Sequence, residues 1–328
     1  MATFKGIKGF TVQNLASDPT TADSVGQFYF NSTSNTFKYV QPGGAPVGTW
    51  ASGTAVNTAR RSMGSAGIKT AAIIAGGISP NFTEVWNGSS WSEVAELNTG
   101  RWYLKGSGTT TATIMYGGME SDPTASAKTE SYNGSSWTEV ADLNTARQKI
   151  GNSTQGTSTA SIAFGGTGAD PSPVVALTES WNGSAWTEVA DLNTARKGLG
   201  GAGISTAALA IGGSTPTKVT LNESWNGSSW TEIADRNTAR DEFGSAGTQT
   251  SALAYGGNPG SPGVLTELWD GSSWTEVADL AATCAGQGSA GASGSSASNI
   301  SGYNGSANVA AVEEWTIPDV VIKTVTTS

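Results

Sequence analysis

Short apolar runs alternate with turn-forming clusters along most of this chain, and one such pattern recurs. Its clearest copy, Trp225 to Ile233, reads Trp-Asn-Gly-Ser-Ser-Trp-Thr-Glu-Ile, and close variants start at Trp86, Tyr132, Trp181 and Trp269. Each is an apolar strand end, an Asn-Gly or Asp-Gly turn, and a second strand opening on Trp. Both dipeptides tolerate the positive φ angles of a tight turn, so the pattern predicts a β-hairpin. The second Trp falls at Trp91, Trp137, Trp186, Trp230 and Trp274, in steps of 46, 49, 44 and 44 residues.

Around each hairpin the same elements return in the same order. A crossing of the Leu-Asn-Thr-Ala-Arg type leads into a Gly-containing strand. A small-apolar strand follows and ends in Gly-Gly, at 76–77, 117–118, 165–166, 212–213 and 256–257. A variable loop comes next, then a strand with Glu two residues before the aromatic. Repeats of about 40–50 residues point to propeller blades. The series begins in mid-unit, since Trp50 to Arg60 matches Trp186 to Arg196. It also ends in mid-unit. The last copy has Cys284 for Arg, Ser301-Gly302 for Gly-Gly and Glu313-Glu314-Trp315 for Glu-x-Trp, and then leaves the pattern at Thr316-Ile317-Pro318. Three strands from the end and one from the start complete a blade and remove sheet edges. The prediction is an all-β, six-bladed β-propeller closed by its N-terminal strand.

Composition narrows the picture. The 328 residues include 44 Gly, with only 13% charged, which suits short strands and tight turns; the 12 Trp recur in phase, which a disordered chain does not require. A formal charge of −9 without a basic cluster argues against nucleic acid as partner. One cysteine allows no intramolecular disulfide, and no window nears the roughly 18 apolar residues of a membrane span. The absence of His excludes a Ser-His-Asp triad, a Cys-His pair and most zinc or copper sites. No catalytic residue, metal or cofactor is expected.

Outside the repeats, residues 1–45 carry a second kind of hairpin. Phe28, Tyr29 and Phe30 oppose Phe37 and Tyr39 across a polar turn around 32–35. An isolated hairpin is marginal in water, so this one needs a partner. Residues 41–46 read as a linker, 46–316 as the propeller and 317–328 as a strand-like tail. The tail and residues 1–45 are expected to meet on the face of the uniform Asn-Gly turns, with variable loops on the other.

The Gly-Gly ending, the Glu before an aromatic, the Trp after it and the Arg opening the next unit resemble kelch β-propellers over about 49–315. That resemblance implies a fold and leaves activity open, because one fold hosts many functions. Sialidases are similar in their hairpin turn, but their Arg triad and Tyr–Glu pair have no counterpart here, and the copper site of galactose-oxidase-like propellers needs His.

Candidate ligand-binding residues sit on the variable face. Trp102 and Tyr103 follow Arg101 where other units have Arg61, Gln148, Lys197 and Asp241. An unrepeated aromatic there could stack on a sugar or fill a gap under a loop. Glu120, Asp122 and Asp170 in the long loops could bind a cation or sugar hydroxyls, or simply be solvated. Arg60, Arg101, Arg147, Arg196 and Arg240 recur with Glu84, Glu130, Glu179, Glu223 and Glu267. Catalysis has no use for five identical copies, so these read as structural pairs, one per blade. Cys284 has no His to activate it and reads as a small buried residue.

The stretch Val25 to Lys38 resembles the short hairpin opening many tailed-bacteriophage structural and fibre proteins, and the Trp-Asn-Gly-Ser-Ser-Trp repeats resemble kelch-like virion proteins of marine phages. These likenesses imply a non-enzymatic virion protein (tail fibre, neck appendage or capsid decoration) made in the host cytoplasm and present in multiple copies. Phe28, Tyr29, Phe30, Phe37 and Tyr39 would dock it to other virion proteins, and the variable loops would meet a host-surface glycan or protein. An intracellular kelch-type scaffold and a lectin-like or sialidase-like propeller are the alternatives.

Overall fold

A computed structural model describes residues 12–20, 26–42, 48–78, 81–121, 124–168, 173–258, 263–318 and 320–324. The described residues are all-β, with no helix. The chain divides into two compact units, Thr49–Thr316 and a small unit made of Met1–Gly48 with Ile317–Ser328.

In the larger unit six four-stranded antiparallel sheets carry the repeats. Each is a meander, as in Gly200–Ile204, Ala207–Ile211, Asn222–Trp225 and Trp230–Ile233. The sixth is composite. Thr49–Ser52, the first strand of the unit, lies beside Asn308–Thr316, the last, with Trp50 opposite Trp315. The inner strands touch in cyclic order, from Gly64–Ile68 through Lys105–Thr109, Gly151–Asn152, Gly200–Ile204 and Gly244–Gly247 to Gly288–Ser293 and back to the first. Six strands converging on one axis leave little room. Their Gly-Ser-Ala-Gly sequences supply small side chains, and Ser hydroxyls bridge neighbours: Ser289 N donates to Ser65 Oγ at 2.9 Å and Gly201 N to Ser245 Oγ at 2.9 Å.

Larger side chains fill the space between sheets. One core joins Ile162 and Phe164 of the third sheet to Leu199, Ala208, Trp225 and Trp230 of the fourth. Another joins Ile300 and Val312 of the sixth to Met63, Ile74 and Trp86 of the first. Paired Trp residues stand directly opposite each other across strands, as do Trp225 and Trp230 with rings 5.3 Å apart. The fourth-strand Trp also reaches the preceding sheet: Trp230 Nε1 donates to Thr178 Oγ1 at 3.2 Å and Trp50 Nε1 to Thr266 Oγ1 at 3.1 Å.

The hairpin turns differ from expectation in one respect. Only glycine takes positive φ, 93° at Gly227. The preceding Asn226 instead accepts hydrogen bonds through Oδ1 from the Ser228 and Ser229 amides, both at 2.9 Å. A four-residue loop allows this because the short side chain can stand in for a backbone carbonyl.

The small unit corrects the expected segmentation. Gln13–Leu15, Phe28–Asn31, Thr36–Pro42 and Val320–Thr324 form one sheet in that order, so the tail is not a segment of its own. Residues 41 and 42, read as linker, end its third strand. A two-stranded hairpin cannot cover both edges, and the chain supplies a strand at each. Tyr29, Val40 and Leu15 make its core, with the Tyr29 hydroxyl donating to Asp18 at 2.8 Å.

Trp315 is fully buried between the two chain ends of the ring. Trp315→Ala is expected to lower the stability of this unit by about 3–5 kcal/mol, read from the urea midpoint of Trp fluorescence.

Candidate functional site

The recurrent charges resolve first. Four of the five repeat arginines have no exposed surface, and Arg240 is 2% exposed. Arg147 shows the common geometry. Its Nη2 pairs with Glu179 Oε1 at 2.7 Å, and its Nη1 donates to the Gly165 and Leu177 carbonyls at 2.8 and 2.7 Å. The other carboxylate oxygen of Glu179 accepts the Asn144 amide at 2.6 Å. Glu84, Glu130, Glu223 and Glu267 bind Arg60, Arg101, Arg196 and Arg240 in the same way. Burial pulls each guanidinium below its usual range, against the attraction of its glutamate. Each pair thus pins a crossing to the sheet it enters and leaves no charge on the surface to grip a ligand.

The Gly-Gly pairs belong to the same joint. Gly166 N donates to the Arg196 carbonyl at 2.7 Å, and a Cβ on Gly165 would lie 2.5 Å from that oxygen. In the sixth sheet Glu313 accepts the Ala281 amide but has no arginine, and Cys284 Sγ donates to the Ser301 carbonyl at 3.1 Å. Burial pushes the Cys284 thiol up to about 12.

The ligand candidates do not converge on one spot. Trp102 exchanges backbone hydrogen bonds with Met119, at 3.0 and 2.8 Å, and so seats the loop after the second Gly-Gly. Glu120, next along, accepts Ser126 Oγ at 2.7 Å and lies 3.6 Å from Lys128 Nζ, so it braces its own loop. Asp122 and Asp170 lie outside the described residues. Tyr103 goes elsewhere, to the axis.

There it joins a feature that the repeat motifs do not mark. The residue two places after each crossing Arg, or after Cys284, takes left-handed φ: Ser62 59°, Tyr103 58°, Lys149 53°, Gly198 65°, Glu242 52° and Gly286 60°. These six link in a closed ring of backbone hydrogen bonds. Tyr103 N donates to Ser62 O, Lys149 N to Tyr103 O, Gly198 N to Lys149 O, Glu242 N to Gly198 O, Gly286 N to Glu242 O and Ser62 N to Gly286 O, at 2.6–3.4 Å. Holding four side-chain-bearing residues in this region is costly, and strain of this kind gathers where the surroundings enforce it. Lys149 Nζ pairs with Glu242 Oε1 at 2.6 Å and lies 4.4 Å from the Tyr103 ring centre. Burial disfavours the Lys149 charge, but Glu242 outweighs it and holds the ammonium above its ordinary value. A recurring position with unrelated residue types, Ser, Tyr, Lys, Gly, Glu and Gly, was the signal available in the sequence.

On the small sheet the docking candidates split between faces. Phe28 pairs with Tyr39 at 4.7 Å and Phe30 with Phe37 at 5.2 Å on one face, where Phe28 is 55% and Phe37 48% exposed. Tyr29 lies on the other face, buried, beside the Lys38–Asp18 ion pair at 2.7 Å.

Six meander sheets in cyclic order around a small-residue axis make the larger unit a β-propeller. Among solved structures that of YjhT matches with a TM-score of 0.67 and 12% identity, over 82% of this chain and 99% of that one, a likeness of fold. No family model matches the chain, and no curated protein matches it.

Removing one member of a buried ion pair leaves the other charge uncompensated. Arg147→Met is expected to cost about 3–5 kcal/mol in chemical unfolding, and a loss below about 1 kcal/mol would show that the joint does not depend on the charge. A second test concerns Cys284: at pH 8 iodoacetamide should label it only after guanidinium unfolding, as mass spectrometry of intact protein would read.

Proposed function

We propose that this chain is a non-enzymatic binding protein, a bacteriophage virion component that docks through its small sheet and displays the propeller's variable loops. One observation carries the docking half: the aromatic face of Phe28, Phe30, Phe37 and Tyr39, two members of which stand half-exposed. Exposed aromatics gathered on one sheet face favour a protein partner, since they bury large area at low entropic cost. Tyr29 serves that sheet's own core and drops out of the docking set.

Support for the display half comes from the charges. The five arginine–glutamate pairs are spent on internal joints, so the ring is a rigid frame, and the loops after Gly-Gly vary on it. The virion assignment rests on the likeness of Val25 to Lys38 and of the repeats to phage structural proteins. Partners are then other virion proteins and a host-surface protein or glycan, with the chain in several copies.

Mass spectrometry of purified particles tests this reading, and abundance in infected lysate with absence from particles would reject it. In particles, Phe28→Asp combined with Phe37→Asp is expected to abolish incorporation while the purified protein keeps its propeller melting transition. Undiminished incorporation would move docking away from this face.

A further inference from the structure

Five repeats place glycine at the first position of the inner strand region, Gly64, Gly151, Gly200, Gly244 and Gly288, and the second repeat alone places Lys105. Glycine fits there for a steric reason. A Cβ would come 2.2 Å from the Phe164 ring at Gly151 and 2.3 Å from the Tyr255 ring at Gly244. The lysine is therefore a departure that the repeat does not require.

Its position lies one layer below the backbone ring. Lys105 lines a throat of about 40 Å³ together with Ser62, Tyr103, Lys149, Glu242 and Gln287. Above it a polar recess of about 200 Å³ opens among Arg61, Ser62, Tyr103, Glu242, Asn258 and Tyr303. A water needs about 10–15 Å³ of such space, so the throat admits a group of about three heavy atoms, the size of a carboxylate.

The chemistry of the lining is unbalanced. Among the residues named, Arg61, Lys105 and Lys149 face one anion, Glu242, in a chain whose formal charge is −9. Glu242 is already taken by Lys149 at 2.6 Å, and Lys105 Nζ has no hydrogen-bond acceptor among the described residues. Burial pulls the Lys105 ammonium down to about 8, with Glu242 opposing. Ser62 Oγ, on a residue 5% exposed, is buried and also without a partner. The throat thus offers an ammonium and a buried hydroxyl as donors, and leaving a buried hydroxyl unmet is costly.

We infer that the axial throat binds the carboxylate of a small monocarboxylate, its oxygens on Lys105 Nζ and Ser62 Oγ and its remaining atoms in the recess. The Lys149–Glu242 pair spans the Gly198 side of the ring, and the ligand enters on the Ser62–Gly286 side. This site is independent of the docking sheet and of virion incorporation.

Isothermal titration of the full chain with sodium acetate tests it, with sodium chloride at equal ionic strength alongside. Acetate is expected to give a saturable binding heat, with chloride giving only heats of dilution. Lys105→Gly installs the residue of the other five repeats and so keeps the fold; it is expected to weaken acetate binding about tenfold or more, and Ser62→Ala several-fold. Equal heats with acetate and chloride, or wild-type acetate affinity in Lys105→Gly, would overturn the assignment.

Discussion

A guanidinium with no exposed surface, locked onto a glutamate and two loop carbonyls, sits at nearly every joint of this propeller. The arrangement tolerates no half measures. A buried charge is bearable only when its partner and its remaining donors are met, so the crossing, the Gly-Gly turn and the third strand must all be in register at once. One side chain therefore couples three segments that are far apart in sequence. The same requirement explains the glycines: the pair must turn sharply and let the next arginine's carbonyl approach.

Convergence on the axis imposes the second constraint. Inner strands meet where side chains have least room, which the repeats answer with Gly, Ser and Ala. The two ends of the axis are then finished differently. On the Gly-Gly side six left-handed residues close a hydrogen-bonded ring. On the other side the lengthened third repeat lays Gln155 across the opening, its amide donating to the Gly203 carbonyl at 2.8 Å and its side chain to that of Gly291. Departures from the repeat are thus concentrated at the axis, with Lys105 as the plainest.

Where the sixth joint lacks its arginine, the chain substitutes smaller contacts. Cys284 bonds the Ser301 carbonyl, and Ser301 Oγ donates to the Arg60 carbonyl at 2.7 Å. Arg61 covers the Tyr303 ring at 4.2 Å. This is the sheet built from both ends of the unit, and its strands Ser296–Tyr303 and Asn308–Thr316 are longer than their counterparts. Longer pairing offsets a missing ion pair.

Much of this could be read in advance. Hairpins announce themselves locally through Asn-Gly and flanking Trp, and a fixed spacing of Gly-Gly, Glu and Arg marks equivalent places in successive sheets. The composite sixth sheet was legible because half a unit was missing at one end and present at the other. What stayed hidden depends on distance in space without a local signature. The sequence does not reveal that residues two places after each arginine meet around one axis, since their side chains share nothing and only their backbones bond. Tyr103 could be singled out as unusual, but its company of Ser62, Lys149 and Glu242 comes from three other repeats brought to one point. Likewise, the tail strand 320–324 finds the aromatic hairpin because an open sheet edge needs covering, and edges exist only once strands have paired.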